Sequence, residues 1–131
     1  MVVSKFRVWD IVKKAMSEVQ AIVYTEEKVY TIYFKVIRRY IPFNEAIIMR
    51  FTGLFDKNGK EIFEGDIVVN QYGDVGYIAY LQQEAGFVVV MEKGDYRLGH
   101  RNTGESYEVA TNHEVIGNIF ENPGLLKRVV Q

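Results

Sequence analysis

At 131 residues with 48% hydrophobic content, the chain can bury a core without metal or disulfide staples, as one domain or two small, mutually dependent lobes. It contains no cysteine, which excludes a disulfide framework, a zinc–thiolate site and a cysteine nucleophile. A net charge of −1 argues against a dedicated nucleic-acid binder, which carries a clear basic excess.

The charge is unevenly placed. Residues 1–50 hold nine basic and five acidic side chains and residues 51–131 seven and twelve, so the first lobe is +4 and the second −5. Opposite local signs favour attraction within the chain or between copies of it. The start, Met1-Val2-Val3-Ser4-Lys5-Phe6, lacks the basic stretch and apolar run of a secretory signal. No apolar run approaches the roughly 20 residues of a membrane span. A cytoplasmic protein of the bacterial host cell, with no membrane partner, is the expectation.

Phe6 to Trp9 reads as a short strand. The next stretch is ambiguous. Ile11, Val12, Ala15, Met16, Val19 and Val23 fall near helical spacing with Asp10 placed as an N-cap. The same residues also read as a strand from Glu18 to Thr25 that turns at Glu26-Glu27 into Lys28 to Ile37, rich in Val, Tyr, Thr and Ile. We read a hairpin over residues 19–36 and confine any helix to Ile11–Ser17. Pro42 cannot donate a ladder hydrogen bond, so it ends the extended segment or holds it at an edge. Ile47 to Phe51 is the next strand.

The second lobe alternates turns with short strands. Asp56-Lys57-Asn58-Gly59 is a turn in which Gly supplies positive φ, and Phe63-Glu64-Gly65-Asp66 is a second reversal before Ile67 to Asn70. Further strands are expected at Gly76 to Leu81, Phe87 to Glu92 and Val115 to Phe120. Gly94 to Asn112 reads as the long loop. Asn122 is placed to cap a short terminal helix with Pro123 at its first position and Leu125, Leu126 and Val129 on its apolar side. The fold class is therefore mainly β, α+β at most: an N-terminal β-hairpin lobe over 1–50 and a small β-barrel over 51–131, with an SH3-like barrel expected because closure removes exposed edges.

Few residues suggest chemistry. Asp56, Asn58 and Glu61 resemble the start of a calcium loop, but such a loop needs Gly at position 6 and Gly59 falls at position 4. Glu64 and Asp66 flank Gly65, and two close carboxylates can divide acid and base roles. They lack a nearby nucleophile or His, so Asp56, Gly59, Gly65 and Asp66 are read as turn-builders. His100 and His113 have no spacing suited to zinc, and no serine sits in a Gly-x-Ser-x-Gly context. Gly73-Asp74-Val75-Gly76 has GxxG spacing, yet it joins strands and carries an acid that repels phosphate. No catalytic residue, metal or cofactor is expected.

Lys35, Arg38, Arg39 and Tyr40 form the one basic and aromatic cluster, with Lys28, Tyr30 and Tyr33 near it in the hairpin reading. Such a set can neutralise phosphates and stack on bases. Tyrosines alternating along a strand are also ordinary cross-strand pairs. The nine Tyr and eight Phe exceed what two small lobes can bury, and surplus aromatic surface predicts a partner, most simply an identical chain.

Three segments carry a family resemblance: KFRVWD with Ala15-Met16, the run FTGLFDKNGKEIFEGDIVVN from Phe51 to Asn70, and Val115-Ile116-Gly117-Asn118-Ile119-Phe120-Glu121-Asn122-Pro123. Together they resemble the YopX family of phage and prophage proteins, over most of the chain. Arg50 stands where relatives often carry Gln, and residues 37–47 match nothing distinctive. The resemblance implies a phage- or prophage-encoded protein of unknown biochemical role that forms a homo-oligomer, and it supplies no catalytic residues. The expectation is a non-enzymatic binding or scaffold protein. Its partners are itself or another phage or host protein, and nucleic acid bound through the basic cluster is the alternative.

Overall fold

The computed structural model describes residues 4–32, 40–83, 85–91, 94–98 and 112–126. The chain divides into two units, Met1–Phe51 and Thr52–Gln131. Nearly all described regular structure is antiparallel strand.

The first unit begins with β1 (Phe6–Asp10) and β2 (Ala15–Val23). Between them lies a turn and not a helix. Asp10, only 4% exposed, accepts the N–H groups of Val12 and Lys13 at Oδ1, both at 3.0 Å. Its carbonyl accepts the N–H of Lys14 at 2.8 Å. That is how a capping Asp starts a helix. Here Lys14 enters the left-handed region at φ 54° and reverses the chain after one turn. Ile11 and Val12 stay exposed, so a helix would have buried no apolar face.

β2 changes partner along its length. Residues Ala15 to Glu18 pair with β1, whereas Val19 to Val23 pair with β3 (Lys28–Thr31), with a bulge between Val19 and Ala21. The β2–β3 hairpin is closed by a turn in which Glu27 takes φ 54°. β4 (Tyr40–Pro42) pairs with β3, a 3-10 turn comes next at Phe43–Glu45, and β5 (Ala46–Phe55) returns beside β1. The order is β4-β3-β2-β1-β5, and Pro42 lies on the outermost strand. Val8, Val29 and Ile41 form the core, flanked by Val19, Ile22, Phe43, Ala46 and Ile48.

β5 runs on into the second unit, where its far end lies beside β6 (Glu61–Phe63). β7 (Asp66–Val69), β8 (Val75–Leu81), β9 (Gly86–Met91) and β10 (Gly94–Arg97) form a meander, and β11 (Glu114–Asn118) returns to β7. The order is β10-β9-β8-β7-β11. Ile62, Val68, Ile78, Val89, Leu98 and Val115 make its core, with Leu54, Phe87 and Met91 packed against them.

Two expectations change here. Among the described residues no pairing joins β10 to β11, so the sheet is open-ended and closure into an SH3-like barrel is not seen. The long loop is shorter than its composition suggests, since Gly94–Arg97 is a strand; the remainder, residues 99–111, lies outside the described residues. At the C-terminal end, Pro123–Leu125 is one 3-10 turn. Asn122 does not cap it. Its Oδ1 instead accepts the N–H of Asn118 at 3.2 Å, and it packs where a Cβ on Gly117 would come within 2.5 Å. No described helix is long and apolar enough to cross a membrane.

Candidate functional site

The carboxylates of the second unit are occupied by backbone. Asp56 is 1% exposed; its Oδ1 accepts the N–H groups of Asn58 and Lys60 at 2.8 Å each, and its Oδ2 accepts that of Val115 at 3.0 Å. Burial raises the carboxyl pKa, but the N–H groups of Val115, Lys60 and Asn58, with the Lys60 charge, outweigh it and hold the group below its ordinary value. Gly59 closes this turn at φ 84°. Asp66, also buried, accepts the N–H of Phe63 at 2.8 Å across the reversal in which Gly65 takes φ 85°. A carboxylate committed in this way is a poor general base. Among the described residues no three His, Asp or Glu side chains gather in a metal-binding arrangement.

The first unit presents a different surface. The N–H of Phe43 donates to Glu27 O at 2.9 Å, which makes Glu27 and Phe43 a hydrogen-bonded pair. By alternation, Lys28 opposite Pro42 and Tyr30 opposite Tyr40 are non-hydrogen-bonded pairs, whose side chains come closer together. The Tyr30 and Tyr40 rings accordingly lie 6.0 Å apart, tilted by 50°. Lys28 Nζ sits 4.3 Å from the centre of the Tyr40 ring, a cation–π contact. The Tyr30 hydroxyl donates to Glu26 Oε1 at 2.8 Å. That bond to Glu26, together with desolvation and the Glu26 charge, raises the pKa of the phenol. Beyond the hairpin turn, Tyr24 and Phe43 meet edge to face with centroids 6.1 Å apart.

Tyr24 is 75% exposed and Tyr40 is 40% exposed, so this is an aromatic strip open to solvent. Of the expected basic and aromatic set, Tyr40 is on it, while Lys35, Arg38 and Arg39 lie outside the described residues. Glu26 and the Tyr24–Phe43 pair belong to the same strip although the sequence does not single them out. The turn at 24–27 and Phe43 directly after Pro42 are the available signals, and both depend on knowing the register. An open cleft of about 330 Å³ lies between Ser4–Phe6 and Val19–Ile22, where β2 leaves β1 for β3. No histidine or carboxylate lines it.

Two antiparallel sheets, turn-bound carboxylates and an exposed aromatic strip define an all-β protein that presents surfaces for binding. The chain belongs to the YopX family, whose model, described as YopX protein, matches residues 5–127. It is similar to the crystal structure of protein EF1440 from Enterococcus faecalis at 30% identity and TM-score 0.64, over 96% of this chain and 99% of that one. It also shares its fold with protein yopX from Bacillus subtilis, at 23% identity and TM-score 0.58, over 93% and 97% of the two chains. No curated protein gives a significant match.

Proposed function

We propose that the protein is a phage- or prophage-encoded, non-enzymatic binding or scaffold protein that works as a homo-oligomer. The observation that carries this reading is the exposed aromatic strip of Tyr24, Phe43, Tyr30 and Tyr40 with Lys28. Rigid aromatic rings bury much area on association for little loss of side-chain freedom, which makes them common interface anchors. Tyr72, 79% exposed, and Phe55 add to the apolar surface in the second unit. The +4 and −5 halves supply an attraction between copies that salt screens.

Light scattering tests it. The expected mass exceeds 15.2 kDa and falls as salt rises. A monomer at every protein and salt concentration rejects the proposal.

One observation favours a second reading, in which the strip is a stacking platform for single-stranded nucleic acid: Lys28 and two tyrosines share one solvent-facing patch. The expected result is a gel shift at low salt that weakens steeply as salt is added and is reduced by Arg38→Ala combined with Arg39→Ala. The Glu26 carboxylate on the Tyr30 hydroxyl works against phosphate at the same spot, which is why self-association ranks first.

A further inference from the structure

Sheet edges differ in what they offer a second strand. The outer strand β4 carries Pro42, turned with Tyr40 toward the open side by the β3–β4 alternation, and a proline presents no donor. β6 is three residues long, with the Phe63 N–H already bonded to Asp66 Oδ2. β11 is bulged between Val115 and Gly117, and its Val115 and Asn118 N–H groups are taken by Asp56 Oδ2 and Asn122 Oδ1. These are the devices by which proteins prevent edge-to-edge pairing.

β10 has none of them. The N–H of Leu98 donates to Phe87 O at 2.9 Å, so Phe87 and Leu98 are a hydrogen-bonded pair. In the β9–β10 register, Tyr96 with Val89 and Gly94 with Met91 are then also hydrogen-bonded, and Asp95 with Val90 and Arg97 with Val88 are not. The backbone N–H and C=O groups of Asp95 and Arg97 therefore point away from β9. Among the described residues no strand lies beside them.

We propose that this edge joins two copies of the chain, β10 pairing antiparallel with β10 of a second copy about a twofold axis at Tyr96. The proposal rests on the homo-oligomer reading and names the interface. Three twofold registers place outward-pointing backbone groups opposite one another. Centring on residue 95 sets Asp95 against Asp95, and centring on residue 97 sets Arg97 against Arg97; like charges directly opposite are destabilising. Centring on Tyr96 sets Asp95 of each copy opposite Arg97 of the other. This register forms two reciprocal pairs of N–H···O=C bonds, places opposite charges across from each other and makes Tyr96–Tyr96 a non-hydrogen-bonded pair. Charge selects it. The two five-stranded sheets become one continuous sheet, and the isologous contact closes on itself as a dimer.

The absence of cysteine gives a direct test. In a non-hydrogen-bonded antiparallel pair the Cα atoms are about 4.5 Å apart, inside the range of about 4.4–6.8 Å that a disulfide spans. Tyr96→Cys is expected to give a disulfide-linked dimer of twice 15.2 kDa under mild oxidation, much faster than Tyr72→Cys at an exposed position away from β10. Arg97→Asp is expected to reduce the mass of the assembly, and Asp95→Arg combined with Arg97→Asp to restore it, with circular dichroism unchanged in all variants. If Tyr96→Cys links no faster than Tyr72→Cys, or the charge swap restores nothing, this interface is wrong while a wild-type mass above 15.2 kDa leaves the oligomer reading standing. A wild type that is always monomeric removes both.

Discussion

Asp56→Ala is expected to lower the stability of the second unit by about 3 kcal/mol or more, read as a fall in the denaturant midpoint and, thermally, in Tm by on the order of 10 °C. One carboxylate holds the N–H groups of Asn58, Lys60 and Val115. Removing it strands a donor on β11 in a site from which water is excluded, at about 1–3 kcal/mol for that group alone, and releases the turn as well. The same carboxylate sets an acid limb. Its folded pKa lies below the unfolded value of about 3.9, so its contribution is complete above that value and is lost as pH falls through the folded pKa. Asp56→Asn, which titrates nowhere in this range, is expected to be less stable at neutral pH and to show a flatter decline between about pH 5 and 2. An Asp56→Asn protein with the wild-type acid profile would show that the lowered pKa does not contribute.

Gly76→Ala is the second large effect. Gly76 sits mid-strand opposite Val68 and is buried. A Cβ there would lie 2.6 Å from Val90 O, 2.8 Å from Val89 Cγ1 and 2.9 Å from Met91 Cγ. The nearest atom is backbone, so β9 itself must move, and we expect a loss of roughly 2–3 kcal/mol, the usual scale of overpacking a tight interior. Gly73→Ala separates sterics from conformation, since it meets nothing within 4 Å but sits at φ 86°; about 1 kcal/mol is expected there. Gly124→Ala has neither problem and is expected to be neutral. Equal midpoints for Gly76→Ala and Gly124→Ala would contradict the close packing of β8 on β9.

The contrast between these residues shows what the sequence reveals. The reversals at 56–59 and 63–66 are legible because Asp and Gly at fixed offsets encode a backbone conformation within a few residues. Nothing local links Asp56 to Val115, 59 positions away. The start of β2 is ambiguous for a physical reason: an Asp that accepts two following N–H groups begins either a helix or a tight turn, and Lys14 decides the outcome only by adopting positive φ. β10 is hidden because Gly-Asp-Tyr-Arg has no alternating apolar pattern, and its pairing with β9 supplies the order. The aromatic strip is half legible. Tyr30 and Tyr40 are conspicuous as tyrosines, but facing one another requires the hairpin register, which composition does not contain.

The return of β11 to β7 also bears on how the chain is made. β7 to β10 can assemble as residues 66–97 emerge from the ribosome, because each pairing joins neighbours in sequence. β7 then waits with one side uncovered, and Asp56 lacks its third donor, until residues 114–118 have been synthesised. For that interval the nascent chain exposes an apolar strand edge of the kind that misassociates. A chain terminated before Glu114 would never leave that state, so premature truncation products of this protein are expected to aggregate or be degraded instead of persisting as partial folds.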